Sequence, residues 1–279
     1  MCEITLRRAT RSVNNLLEAT HGVQVPRALG RESPRFMETA ASVRLCQSSW
    51  FSFAETVIHT TQGRHMRRVL SAHRCPGCEI RRPLCFCAMI PQITLQTRVI
   101  ILMHTCEEVL TTNTARLAAK ALTNSELRIH GRKDERMSSV GLVSEGRSSL
   151  LLYPSPRSVE LTADLVSSLT GPVNLIVPDA NWRQTTKFVR REPGLVGIPH
   201  VRLPDGPPSE YRLRTHRNAK YLCTLEAIAR AVGILESREA QSRLETLLRV
   251  LVERTLWSRG MLAADQCTTA GIPRDAFCS

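Results

Sequence analysis

The stretch "VNLIVPDANWRQTTKFVRR", Val173 to Arg191, decides how this chain is read. It opens as a buried strand over 173–178, turns at Asp179, and resumes as a helix over 182–191 carrying Arg183, Lys187, Arg190 and Arg191. The pattern repeats outward. "RVIILMH" (98–104) and "SSLLLYP" (148–154) read as two more buried strands, and "TNTARLAAKAL" (112–122) and "SVELTADLVSSL" (158–169) as helices between them. Helices are also expected at 221–236 and 240–257, and the tail after Gly260 reads as loose. Strands alternating with helices imply an α/β fold, a mostly parallel sheet with helices on both faces.

The turn at 178–182 allows two readings. In the plain one, Asp179 caps the following helix and Trp182 packs into the core. In the other, the turn is a site, because ligands of parallel sheets collect at the carboxyl ends of strands and Asp179 stands just past one. Spacing alone does not choose between them.

The chain has 279 residues, 42% of them hydrophobic, enough for one large α/β domain or two small ones. No uncharged apolar stretch reaches the length of a membrane span. A net charge of +13 points to a polyanion, nucleic acid first. Residues 1–65 hold eight arginines against five glutamates, so this segment carries +3 and the remainder +10. That segment reads as an extension poorly ordered on its own. It is rich in Arg and Ser like an organelle transit peptide, yet its glutamates speak for a cytoplasmic protein. A further possibility is translation from Met66, which N-terminal sequencing of the native protein would refute by finding Met1 or Cys2.

Four of the ten cysteines crowd together in "CPGCEIRRPLCFC", placing Cys75, Cys78, Cys85 and Cys87 as C-x2-C, six residues, C-x-C. Such thiolate spacing suits a tetrahedral metal, structural zinc above all, within a segment at 66–97; two disulfides, an iron–sulfur cluster or free thiols are the alternatives. A closed four-sulfur site leaves no position for substrate, so this cluster is structural. The remaining cysteines lack ligand spacing.

Read in order, Arg74-Cys75-x2-Cys78, Cys85-x-Cys87, "LMHTCEEVLTTNTARL" (102–117), "LLYPS" (151–155), "PDANWRQTTKF" (178–188), "YRLR" (211–214) and "TLEAIA" (224–229) resemble the DTW-domain proteins. These are tRNA-uridine aminocarboxypropyltransferases named for an Asp-x-Thr-Trp motif. In this chain Asn181 stands where the family has Thr, while Asp179 and Trp182 match and Lys187 fills a usually basic position. The resemblance implies transfer of a 3-amino-3-carboxypropyl group from S-adenosylmethionine to N3 of a uridine in tRNA. It also implies a SPOUT-like catalytic domain over 98–260 with a C-terminal knot, which periodicity does not reveal. By that likeness Asp179 is the candidate general base, and Trp182 lines the donor pocket or stacks on the base. Asn181, Tyr153, Pro154, Thr224, Leu225 and Glu226 are expected against the donor. A SPOUT-like methyltransferase and a non-catalytic zinc-bearing RNA-binding protein are the competing functions.

Several residues carry two readings each. Asn113 and Thr114 suit the start of a helix as caps, or touch substrate. Arg116 is expected to point toward phosphate, and His104 and Glu107, closing the first strand, are site or structure. Arg183, Lys187, Arg190, Arg191, Arg212, Arg214, Arg217 and Lys220 flank the turn on both sides and are read as phosphate contacts. Glu226 orients a partner or sits in the first turn of a helix, where negative charge is favoured.

Overall fold

In a computed structural model of the protein, residues 73–214 and 221–278 are described. The expectations that fall on residues 1–72, and those for Arg217 and Lys220, lie outside them. Six strands form one sheet: β1 (Arg98–His104), β2 (Ser125–His130), β3 (Ser148–Leu152), β4 (Val159–Glu160), β5 (Val173–Asp179) and β6 (His200–Arg202). Their order is β2-β1-β5-β3-β6-β4, and every pairing is parallel. The helices are α1 (Thr114–Ala121), α2 (Ala163–Ser167), α3 (Trp182–Arg191), α4 (Thr224–Leu235) and α5 (Arg238–Ser258).

Alternation along the central strands divides the core in two. Val99 and Ile101 of β1 and Leu175 and Val177 of β5 pack with α1, α4 and α5, whereas Ile100, Leu102 and Ile176 face the other side. That second face is covered by Phe188 and Val189 of α3 together with Leu142, Leu195 and Ile198. With both faces buried, the central strands read as continuous apolar runs, and this made β1 and β5 legible.

The segment 158–169, expected as one helix, is corrected. Val159 pairs with Val201 and Leu161 is fully buried, so the chain first runs as a short edge strand. The Thr162 hydroxyl then accepts the Leu165 N–H at 3.2 Å, and α2 begins only at Ala163. β2 and β6 were not anticipated. β5 and β6 come late in the chain yet are inserted between earlier strands, the kind of insertion on which the expected threading would build. The segment after Gly260, read as loose, lies along α5. Thr269 donates from its backbone N–H (3.0 Å) and its hydroxyl (2.9 Å) to Glu253, and Phe277 meets Trp257 at 5.3 Å between ring centroids.

His130 ends β2 stacked on Phe188, with ring centroids 3.7 Å apart and planes 17° apart, and its buried Nε2 has no partner among the described residues. Burial, reinforced by nearby His104, lowers its pKa to about 4. A histidine depressed in the folded state costs stability as pH falls from its unfolded value near 6.5 towards 4, because the unfolded chain binds the proton first. That cost reaches about 3 kcal/mol. His130→Phe keeps the stack, so its stability in urea should decline less than wild type between pH 7 and pH 4.5.

Candidate active site

The plain reading of the 178–182 turn fails on both counts. The residue capping α3 is Asn181, whose Oδ1 accepts the Gln184 N–H at 2.9 Å while Gln184 Oε1 accepts the Asn181 N–H at 3.4 Å. Trp182 is 44% exposed and outside the core. Asp179, by contrast, is only 7% exposed.

Its carboxylate is held from two helices. Asn113 Nδ2 donates to Oδ2 at 2.8 Å, and the Thr224 hydroxyl donates to Oδ1. Asn113 also caps α1, where its Oδ1 accepts the Arg116 N–H at 3.1 Å, and this bond fixes which end of the amide faces Asp179. Asp179 thus sits where two helix N-termini converge, α1 and α4, whose dipoles favour negative charge. Burial nevertheless pushes its pKa above the usual carboxylate range; the bonds from Thr224 and Asn113 offset part of that push, and the neighbouring Glu107 adds to it.

Asp179 lies on the wall of a cavity of about 740 Å3, within the range of small-molecule sites. Of the residues expected against the donor, Asn181, Tyr153, Pro154 and Thr224 line the cavity, together with Asp179 and Trp182. Trp182 contacts Tyr221 (5.2 Å between centroids) and Tyr153 (6.3 Å), and the Tyr153 hydroxyl is hydrogen-bonded to Thr186 at 2.9 Å. Aromatic rings therefore edge the cavity at Tyr153, Trp182 and Tyr221.

Leu225 and Glu226 do not line the cavity, because the first turn of α4 directs both side chains inward. Leu225 is fully buried in the main core. Glu226 accepts from Ser209 Oγ (2.7 Å), Glu210 N (2.7 Å) and Cys223 N (2.9 Å), fastening the 209–210 loop to α4. Arg116 is likewise structural. It pairs with Glu79 at 2.9 Å and donates to the carbonyls of Glu108 (2.9 Å) and Leu110 (3.0 Å). His104 Nδ1 accepts the Cys106 N–H at 3.1 Å, bracing the turn after β1.

The cations divide into two groups. Arg183, Lys187 and Arg190 follow helical spacing along an exposed stripe of α3, with exposed Arg191 beside it and Arg212 exposed on its own loop. Arg214 instead lines the cavity and pairs with Glu107 at 3.4 Å. Sequence reasoning read Asn113 only as a cap or a substrate contact and missed its bond to Asp179. It also missed the wall at Leu203–Pro208 and Arg230; the Pro-Gly-rich "LPDGPP" at the end of a strand was the available signal.

Asn181→Thr tests the departure from the motif. Since the amide serves as a cap, a threonine hydroxyl should replace it with a stability change of about 1 kcal/mol or less, read by thermal unfolding.

The four sulfurs of Cys75, Cys78, Cys85 and Cys87 lie within 4.8 Å of one another. Three of the separations are 3.4, 3.4 and 3.8 Å, far beyond a disulfide bond and near the roughly 3.8 Å that tetrahedral zinc–thiolate geometry requires. A Cβ on Gly77 would stand 2.4 Å from the Cys87 sulfur, so only glycine lets the first knuckle close. The Cys78 N–H lowers the Cys75 thiol to about 6, whereas burial raises Cys87 to about 12. Such a set ionises together only around a cation, and these four residues can hold a metal. Leu84 and Phe86 carry the segment into the main core, and buried Arg254 of α5 donates to the carbonyls of Leu84 (3.0 Å) and Cys85 (2.8 Å).

A family model, the DTW domain, matches residues 72–256, from just before the cysteine cluster almost to the end of α5. The chain belongs to the DTW-domain family. Proteins similar to it include tRNA-uridine aminocarboxypropyltransferase 2 of Drosophila melanogaster, 28% identical over 64% of this chain and 72% of that protein. The protein of the same name from Mus musculus is 30% identical over 63% of this chain and 60% of its own length, and that from Macaca fascicularis 28% over 63% and 60%. The chain thus spans less than two thirds of the two mammalian proteins. Among solved structures, the SAM-dependent rRNA:acp-transferase Tsr3 from Vulcanisaeta distributa is similar at 16% identity and a TM-score of 0.40, over 65% of this chain and 88% of that one. Among the described residues no helix is long and apolar enough to cross a membrane.

Proposed function

We propose that this DTW-domain chain transfers the 3-amino-3-carboxypropyl group of S-adenosylmethionine to N3 of a uridine in tRNA. The observation that carries the reading is Asp179: a buried carboxylate of raised pKa, fixed by Asn113 and Thr224, on the wall of a cavity large enough for a nucleoside donor. The names of the similar proteins support a tRNA uridine as acceptor and aminocarboxypropyl as the group transferred; S-adenosylmethionine as donor and N3 as the atom modified are what the family resemblance implies.

In this reading the cavity holds the donor so that the first carbon of its methionine side chain, and not the methyl, lies in line with the nucleophile. Asp179 takes the N3 proton, N3 forms a bond to that carbon, and the carbon–sulfur bond breaks with its electron pair left on sulfur. The products are aminocarboxypropyl-uridine and neutral 5′-methylthioadenosine. Raised basicity brings Asp179 closer to the working pH than a solvated carboxylate would be. Tyr153 and Pro154 wall the donor, and Trp182 and Tyr221 offer apolar faces for the donor or for the uridine ring. Arg183, Lys187, Arg190 and Arg212 form the phosphate contacts. Structural zinc held by Cys75, Cys78, Cys85 and Cys87 fastens the start of the 72–256 unit, and the SPOUT-like threading belongs to the same reading. The compartment proposed is the cytoplasm.

Nucleoside mass spectrometry of tRNA incubated with the protein and S-adenosylmethionine tests this. A uridine gaining a four-carbon amino acid is expected. A gain of one carbon would make the protein a methyltransferase, and no gain, without stabilisation by the donor in thermal unfolding, a binding protein.

A further inference from the structure

Glu107 and Arg214 meet inside the cavity through one contact, Nη2 to Oε2 at 3.4 Å, with side chains 13% and 36% exposed. The ion pair stands beside Asp179, because Asn113 Nδ2 lies 2.8 Å from Asp179 Oδ2 and 3.4 Å from Glu107 Oε2. We infer that this pair is the seat for the amino-acid end of the donor, Arg214 taking the α-carboxylate and Glu107 the α-ammonium. The inference rests on the reading of the cavity as the donor site.

Charge comes first. A phosphate approaching Arg214 would meet two carboxylates, Glu107 and Asp179, and would leave Glu107 without its partner. A ligand carrying both signs satisfies both side chains at once, so neither charge is stranded when the pair opens. The α3 cations differ in having no ion-pair partner among the described residues, as suits a polyanion.

Reach comes second. In the transferred arm the charged groups lie about 4 Å beyond the carbon under attack, so their seat has to adjoin the base that serves the nucleophile. Glu107, sharing an amide nitrogen with Asp179, does so. The other charged lining residues, Arg202, Asp205 and Arg230, stand at the β6 flank; Arg230 donates to the Pro207 carbonyl at 2.7 Å. β1 and β6 are three strand spacings apart, roughly 14 Å. The donor is therefore oriented with its amino-acid end under the loop after β1 and its nucleoside towards the Leu203–Pro208 wall.

The test is calorimetric binding of S-adenosylmethionine, its decarboxylated analogue and 5′-methylthioadenosine to wild type and Arg214→Gln. Wild type should prefer the intact donor over the decarboxylated one by tenfold or more. Arg214→Gln should lose most of that preference while binding methylthioadenosine within about twofold of wild type, which also certifies its fold. An Arg214→Gln protein that keeps the wild-type preference overturns the inference and leaves the donor-site reading standing. Wild type binding neither S-adenosylmethionine nor methylthioadenosine removes the donor-site reading, and the inference with it. If Arg214→Gln fails the methylthioadenosine control, Arg214→Lys is compared with wild type. Its point charge in place of a bidentate fork should cut the preference several-fold, and an undiminished preference refutes the assignment.

Discussion

Asp179→Asn should reduce aminocarboxypropyl transfer by a factor on the order of 10² to 10⁴, the usual contribution of a positioned general base. The substitution preserves the local bonding: an amide oxygen in the place of Oδ2 still accepts from Asn113, and an amide nitrogen in the place of Oδ1 can donate to the Thr224 hydroxyl, which rotates to accept. Folding should not suffer. A carboxylate whose pKa is raised on folding contributes stability below its unfolded value and loses it as pH rises through the folded one, so at neutral pH the charge is a burden that asparagine removes. The variant should therefore melt at or above the wild-type temperature while turnover collapses, and single-turnover kinetics with a melting curve measure both. Wild-type turnover should fall on the acid side through a limb displaced above the ordinary carboxylate range. Turnover of Asp179→Asn close to wild type would dismiss Asp179 as proton acceptor.

The second large effect is expected at the cysteine cluster. Removing the metal with a chelator, or replacing Cys75 with Ser, should destabilise the protein by about 3 kcal/mol or more, since binding energy at a structural site is folding energy. The loss should spread beyond the knuckle. Arg254 anchors α5 to the carbonyls of Leu84 and Cys85, and the Lys120 ammonium of α1 is bonded to the Gly77 carbonyl, so both helices lean on a closed cluster. Elemental analysis should find one zinc per chain, and the melting temperature should drop on chelation. A metal-free preparation with an unchanged melting temperature would exclude a structural metal.

What could be read from the residues follows from how many constraints each segment satisfies locally. β1 and α3 have the bounds expected of them, and β5 runs one residue further, because double-sided burial and helix spacing both leave a mark in the residues themselves. β2, half-buried at five of its six positions, carries no apolar rhythm, and the three-residue β6 is too short to show one. At the site, Asp179 announced itself by ending a strand. Its clamp did not, because Asn113 and Thr224 arrive from positions 66 residues before it and 45 after it; Asn113 looked sufficient as a helix cap, and Thr224 was expected against the donor, not against Asp179. Leu225 and Glu226 follow Thr224 in the motif yet turn their side chains away from the cavity. A motif gives the neighbourhood of a residue but not which way its side chain turns on the first coil of a helix.

The single amide of Asn113 has consequences for how this protein could be re-engineered. One end of it starts a helix and the other holds two carboxylates apart, a division of labour that no other side chain reproduces at that length. Aspartate supplies the acceptor without the donor, serine is too short, and glutamine shifts both ends by a methylene. A saturation library at this codon should thus return few variants that both express well and show the proposed activity, and attempts to change what the cavity accepts are better aimed at the proline-rich wall.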